Sequence, residues 1–462
     1  MNPSQSPTPS PSRREFIKTS GKFVAASALA GVALPHVHPA GSSLVQAALV
    51  GCGGRGTGAA SDALGTSQLG PVKLVAMADV FNSKLKTSYD AIQRRHPNQV
   101  DVSDDRKHIG FDGYRHAMDQ LKPGDVVILT TPLAFRWVQL DYAIKKGLNV
   151  FMEKPLTADG PTSRRMLKLS EEADKKNLKV GVGLMSRHSR ALQELEKRIR
   201  GGEIGDIINL RGYRMHGPVG SAYSDKWPGQ PNELLWQIQR FHSFLWASGG
   251  CYSDFYIHHV DHLCMMKGAW PVKAMGIGGR HYRENKIDQN FDSYSVEYTF
   301  ADGTKMYMDG RHVLGCKNIY SSYAHGSKGF AVISKQGDCG GPSSTYRGQN
   351  IDRSKMIWQS NDNTSPYANE WEDLMAAIRN DKPYNECKRG VEASVVTSMG
   401  RMSAHTGEEV TYDDFLNSEH EYAPGADKFT MDSPAPLQAD KDGKYPIPLP
   451  GICTKTEYPV KA

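Results

Sequence analysis

At 462 residues and 51.0 kDa the chain exceeds one ordinary hydrophobic core, so two domains are expected. Its 39% hydrophobic, 23% charged and 9% aromatic residues are ordinary globular usage and exclude a disordered, collagenous or multi-span membrane chain. Half of the net charge of +6 lies in residues 1–43, and the rest offers nucleic acid no basic patch, so no such partner is expected. Seven cysteines, an odd number with no C-x-x-C pair, argue against a zinc ribbon or a disulfide-stapled fold.

Residues 1–12 are rich in Ser, Pro and Gln. Ser12-Arg13-Arg14-Glu15-Phe16-Ile17-Lys18 follows, then an alanine-rich apolar run over residues 23–34. This order resembles a twin-arginine export signal. A run of 12 residues is too short to cross a bilayer of about 30 Å as a helix. The resemblance implies that residues 1–43 are signal and linker, that the twin-arginine machinery is a partner, and that the destination is the periplasm. That route carries folded proteins, which suits an enzyme that loads its cofactor before leaving the cytoplasm.

Residues 44–50 read as a short apolar strand ending in Gly51-Cys52-Gly53-Gly54-Arg55-Gly56, with helical character behind it. G-x-G-x-x-G between strand and helix is the dinucleotide fingerprint. Gly51 makes the turn, Gly53 lets a pyrophosphate reach the backbone, and Gly56 lets helix pack on strand. Gly54 and Arg55 belong to the same turn, where the helix N-terminus faces the phosphates. A second strand, residues 72–78, ends in Asp79. A carboxylate there accepts both ribose hydroxyls and repels a 2′-phosphate, so NAD is expected rather than NADP. Helices over 112–121, 135–146 and 163–177 then alternate with apolar strands over 125–130, 148–152 and 178–183. The alternation predicts an α/β Rossmann domain over residues 44–185, a doubly wound parallel sheet with its ligand off the strands' C-terminal ends. Thr131, Pro132, Glu153 and Lys154 fall at such ends and are expected to line the cofactor crevice.

After a linking helix over residues 189–200 the pattern changes. Residues 206–215, 272–281, 292–300, 304–313 and 330–334 read as strands with no helices alternating. This predicts an α+β domain over 186–410 with a large, mostly antiparallel open sheet, whose outer face is free to build a homo-oligomer. Residues 217–247, with three prolines, read as a lid or rim, and 411–462 as an extended tail on the surface or on a neighbouring subunit.

Inside this half, Gly249-Gly250 precedes a helix on which Asp254, His258 and either Asp261 or His262 share one face. Three explanations compete. A metal site would use His258 and His262, but lacks the Glu of H-E-x-x-H and a third ligand, so no metal is expected. The second is a satisfied buried polar pair. The third is an acid/base pair facing a nicotinamide.

The strand–GxGxxG start, Glu153-Lys154-Pro155 after a later parallel strand, and G-G-x-x-x-D-x-x-x-H in a second sheet domain together resemble the glucose–fructose oxidoreductase/inositol dehydrogenase (Gfo/Idh/MocA) family. The resemblance covers roughly residues 44–410, including a C-terminal helical pair near 370–379 and 389–403 placed to pack back on the first domain. It implies that Lys154 and His258 are the catalytic pair with Asp254 beside them, and that the Lys154–Pro155 peptide is cis. One departure is clear: where the family often has Thr-Pro-Asn-x-x-His, this chain has Thr131-Pro132-Leu133-Ala134-Phe135-Arg136.

These residue types suit carbinol oxidation, which needs a base for the hydroxyl proton while hydride leaves for a nicotinamide. An imidazole or a desolvated amine serves as base, and the sequence does not choose between His258 and Lys154. Aromatic residues with scattered polar ones suit a carbohydrate substrate or simply fill a core. Arg187, Tyr213, Trp246, Tyr256 and His259 are the candidate substrate contacts. The expected function is an NAD-dependent oxidoreductase acting on a sugar, polyol or glycoside hydroxyl, with cofactor tightly held. Two rivals use the same fold: an NAD-dependent redox glycosidase that oxidises transiently, eliminates the aglycone and re-reduces, and a non-catalytic sugar-binding protein.

Overall fold

The computed structural model describes residues 43–283, 285–338 and 342–460. The export motif at Arg13-Arg14 lies outside the described residues.

The first sheet consists of β1 (Val45–Val50), β2 (Val72–Asp79), β3 (Lys107–Ile109), β4 (Val126–Leu129), β5 (Asn149–Met152) and β6 (Val180–Val182). Their order is β3-β2-β1-β4-β5-β6 and every pairing is parallel. The central strands are buried on both faces, which is why they read as unbroken apolar runs. The switch in strand order falls between β1 and β4, and a crevice opens there, as in other doubly wound sheets. Gly51 has φ +96°, and a Cβ on it would stand 2.7 Å from the Thr130 carbonyl carbon. A Cβ on Gly56 would stand 2.1 Å from the Gly51 oxygen, so only glycine lets this helix seat on its strand.

Helix Asn82–Arg95 was not among the expected elements, because only Leu85, Ser88 and Ile92 on it are buried and its apolar period is sparse. Asp159 caps helix Gly160–Lys175 by accepting from the Thr162 N–H at 2.8 Å.

The second sheet has nine strands: β7 (Ile207–His216), β8 (Lys273–Gly279), β9 (Ser293–Thr299), β10 (Lys305–His312), β11 (Ile319–Gly326), β12 (Gly329–Ser334), β13 (Ser344–Arg347), β14 (Met356–Gln359) and β15 (Val410–Thr411). Their order is β14-β13-β12-β11-β7-β10-β9-β8-β15, antiparallel except for the parallel β7–β10 pair. Along β10 the side chains alternate, with Met306, Met308 and His312 buried and their neighbours facing out. The buried face lies on helices Gly250–Lys267 and Cys387–Thr406. One apolar core runs from Val127 and Val150 of the first sheet through Val391 to Met308 of the second.

The stretch read as a lid or rim, residues 217–247, is partly helical: it carries helix Glu233–Gln239 and the start of Leu245–Ser248. The C-terminal segment is more than a surface tail. Tyr445 packs on Trp236 and Phe244. Glu457, 1% exposed, binds Arg401 at 2.7 Å and His405 at 2.6 Å. Its many prolines and absent periodicity hid these isolated anchors.

Candidate active site

The crevice off β1, β2 and β4 is lined by Gly51, Gly53, Gly54, Arg55, Gly56, Asp79, Thr131 and Pro132. A Cβ on Gly53 or Gly54 would meet nothing within 4 Å, so bare backbone faces open space there. Asp79 accepts the Cys52 and Phe81 N–H groups at 2.6 and 2.8 Å. Burial raises its pKa, and these N–H groups work against that rise. Lys84 shares the crevice wall. Its far side is closed by Ile238, Phe241, Ala426, Asp427 and Phe429, from parts of the chain that carry no dinucleotide motif.

Glu153 and Lys154, both expected to line the crevice, are not in its lining. The Glu153 carboxylate binds Arg55 Nε at 2.6 Å, and Lys154 turns instead to Asp254. Arg55 also stacks on Tyr367 and lies 3.6 Å from Glu370. Both Glu370 oxygens are buried without a hydrogen bond, and burial followed by the Glu153 charge raises its pKa well above the usual range. Thr131 Oγ1 donates to Gln139 at 2.8 Å. Arg136 donates to the carbonyls of Leu129 and Thr131 at 2.6 and 2.9 Å. Burial pushes its pKa down to about 10.

Lys154 leaves β5 through a cis Lys154–Pro155 peptide and reaches the helix of the second sheet. Its ammonium donates to the Asp254 carbonyl at 2.7 Å and approaches Asp254 Oδ1 at 3.5 Å. Gly249 and Gly250 both have φ +73°, and a Cβ on either would collide with Ser253 or Leu245 at 2.7 Å. Glycine is thus required for the turn that sets Asp254 opposite Lys154. Burial favours neutral Asp254, yet the Lys154 charge and a hydrogen bond from His242 hold its pKa well below the usual range. His258 lies one turn further on. Burial lowers its pKa to about 4, so at neutral pH the imidazole is a free base with Nδ1 unpartnered.

The five candidate substrate contacts are not brought together at this point. Arg187 is locked to Asp261, with Nε at 2.9 Å and Nη2 at 2.8 Å from Oδ1. Tyr213 lies on the outer face of β7, beside Tyr323, while its neighbours Gly212 and Arg214 face the helix. The strand period decided this, and an odd position in β7 points away from the site. Trp246 is fully packed, its indole N–H donating to Gln237 at 2.7 Å. Tyr256 is fully buried against Gly310, where a Cβ would overlap its ring at 2.1 Å. His259 is fully buried, 3.6 Å from Asp338. His262, the other half of the metal alternative, pairs with Ser322 at 2.8 Å. Among the described residues no group of three or more His, Cys, Asp or Glu is placed to hold a metal.

Two groups went unread. His242 Nε2 lies 3.3 Å from Asp254 Oδ2. Asp338, gripped by Arg214 at 3.0 Å and by Tyr320, is the charge that most favours protonated His258 against burial. Neither belongs to a periodic element, and only the fold makes these contacts.

No protein-family model matches the chain. It is 34% identical over 100 residues to the inositol 2-dehydrogenase of Corynebacterium glutamicum, a stretch covering 22% of this chain and 29% of that protein. The chain therefore matches less than a third of that relative's length. Among solved structures, myo-inositol 2-dehydrogenase from Lactobacillus plantarum superposes with TM-score 0.58 at 21% identity, over 80% of this chain and 99% of the other. Levoglucosan dehydrogenase, solved with NADH and levoglucosan, gives 0.60 at 17% identity, over 80% and 100%. The chain thus has the two-domain fold of these sugar and polyol dehydrogenases, a Rossmann sheet followed by a large, mostly antiparallel one.

Proposed function

We propose that the chain is an NAD-dependent oxidoreductase that oxidises a carbinol of a sugar, polyol or glycoside. The observation that carries this reading is the meeting of Lys154 and Asp254 at 2.7 and 3.5 Å, where the β5 end of a dinucleotide-type sheet touches the helix under the second sheet. The bare-backbone cradle at Gly53 and Gly54, with Asp79 in the wall, fits a dinucleotide pyrophosphate and ribose. Bound there, the dinucleotide supplies the hydride acceptor. Lys154 orients the substrate hydroxyl and stabilises developing negative charge on its oxygen. Asp254 holds that ammonium in place. The hydroxyl proton passes to a base: His258, which is neutral already, or Lys154 once its ammonium has given up a proton of its own. Similarity to inositol 2-dehydrogenase and to levoglucosan dehydrogenase favours a cyclic polyol or anhydrosugar.

Export by the twin-arginine machinery to the periplasm belongs to the same proposal and rests on Arg13-Arg14 and the apolar run behind them. So does self-association through the open sheet face, where Ile208 and Ile277 are 58% and 70% exposed.

One observation favours a second reading. Ala426, Asp427 and Phe429 close the crevice from outside, which suits a cofactor retained through turnover and regenerated on the same substrate, as in a redox glycosidase. Mass spectrometry of cofactor released from purified protein, followed by a panel of sugars and glycosides, tests both. Stoichiometric NAD reduction by a polyol supports the dehydrogenase, and multiple turnover of a glycoside without added NAD supports the glycosidase. A panel that gives no NAD reduction by any carbinol and no turnover of any glycoside refutes both and leaves a sugar-binding protein.

A further inference from the structure

We infer that His242 completes a Lys154–Asp254–His242 array and is a positioning residue for the carbinol oxidation proposed above, on which this role rests. The two carboxylate oxygens of Asp254 have separate partners: Lys154 at 3.5 Å from Oδ1 and His242 Nε2 at 3.3 Å from Oδ2. The geometry also assigns the tautomer. The backbone N–H of Ser221 donates to His242 Nδ1 at 3.3 Å, with Ser221 Oγ 3.0 Å from the same nitrogen. Nδ1 is therefore the acceptor, and the ring proton sits on Nε2, the nitrogen 3.3 Å from Asp254 Oδ2.

The ring is held on every side. Gly220, at φ +55°, stands so close that its Cβ would lie 2.7 Å from Cε1 of His242. The Phe255 ring lies 5.2 Å away on the helix. Ser221 is itself pinned, its carbonyl accepting from Ser243 Oγ at 2.5 Å. A carboxylate bound at one oxygen swings about its terminal torsion, whereas one bound at both has a fixed plane. His242 thus keeps Oδ1 turned toward Lys154 and keeps the buried acid ionised. The titratable groups facing Asp254 are Lys154 from the end of β5, His242 from the 217–247 insertion, and His258 and Cys251 on its own helix. Phe241, in the same short turn as His242, lines the nucleotide crevice, so one turn contacts both halves of the site.

The test compares His242→Phe with His242→Gln, whose amide restores a donor. In the full chain, the Asp254 carboxyl is titrated by carbon NMR without substrate, and kcat and KM are measured on whichever carbinol substrate the panel yields. Loss of the donor removes one influence that lowers the Asp254 pKa, so in His242→Phe the carboxyl titrates higher. kcat falls by about 10- to 100-fold from misplacement of Lys154, with KM within about twofold. His242→Gln restores most of both. A folded His242→Phe with wild-type Asp254 titration and kcat overturns the inference. Should His242→Phe not fold, nitrogen NMR of the wild-type ring decides, and a proton on Nδ1 overturns it. If the Asp254 titration moves but the wild type oxidises no carbinol, the array stands and the oxidoreductase reading fails.

Discussion

Glu457 tests whether residues 423–462 are part of the working fold. Its carboxylate is 1% exposed and meets the fully buried Arg401 guanidinium at 2.7 and 3.0 Å, with His405 Nδ1 at 2.6 Å. Glu457→Gln keeps the shape and removes the charge, leaving Arg401 paired only with neutral groups. Orphaning one member of a buried ion pair costs about 3–5 kcal/mol, and the retained amide contacts place this case near 3. At about 2–4 °C per kcal/mol, the melting temperature should fall by about 6–12 °C. Asp141→Asn is the control, since its pair with Lys145 is surface-exposed and worth under about 1 kcal/mol. Because the same segment brings Phe429 to the crevice, Glu457→Gln should also release bound dinucleotide faster during gel filtration. A melting temperature within about 2 °C of wild type would refute the reasoning and return the segment to a surface strap.

Lys154→Ala and His258→Ala should each leave cofactor binding and fold intact while lowering turnover by about 10²–10⁴, and the double variant should lose far less than the product if the two act on one hydroxyl. Equal, additive losses would show two independent roles. Asp79→Ser with Val80→Arg should shift binding toward NADP, read by titrating both dinucleotides; Lys84 in the same wall should assist the shift. If the wild type already binds both equally, Asp79 does not face the ribose. Against burial, Arg389 and His188 hold Glu386 at about 2, and a hydrogen bond from His188 and the Arg190 guanidinium do the same for Asp373. Folded values below the unfolded ones mean stability that is full above about pH 4.5 and lost as pH falls toward 2. Glu386→Gln should flatten that slope in melts from pH 6 to pH 3, whereas an unchanged slope would place the acid sensitivity elsewhere.

The parallel sheet was legible because its strands are buried on both faces and each helix sits between two of them. The glycine turn was legible because backbone clearance leaves no other residue possible at Gly51 and Gly56. Lys154, Asp254 and His258 stood together in the sequence only through the family resemblance, and of the three the structure shows Lys154 meeting Asp254. Substrate contacts were not legible. Tyr213 and Trp246 are aromatic in the right stretch of chain, but strand parity turned one outward and core packing took the other. Glu153 sits at a strand end, yet the Arg55 beside the crevice captured its carboxylate. β11 and β13 escaped notice because a sheet's inner strands are defined by partners distant in sequence. His242 and Asp338 lie in irregular segments, where no period marks which residue points inward.

The departure at Leu133-Ala134-Phe135-Arg136 finds its explanation in the same irregular segments. Leu133, Ala134 and Phe135 join Ile238 and Trp246 of the insertion and Ala426 and Tyr445 of the C-terminal segment in one apolar cluster. Phe135 makes edge contacts with Trp246 and Phe429 at 6.3 and 6.1 Å. Arg136 is spent on the backbone at the end of β4, so it holds the loop rather than meeting a ligand. A polar Asn in place of Leu133 would have to bury an amide in this cluster, at about 1–3 kcal/mol if unpaired. The three pieces are therefore interdependent: the insertion and the C-terminal segment bury the apolar loop, and the loop gives them a wall to close against. Leu133→Asn should accordingly loosen the cap and quicken dinucleotide release, with turnover per bound cofactor changed little. A variant that loses turnover while keeping its cofactor would instead place Leu133 against the reacting carbon.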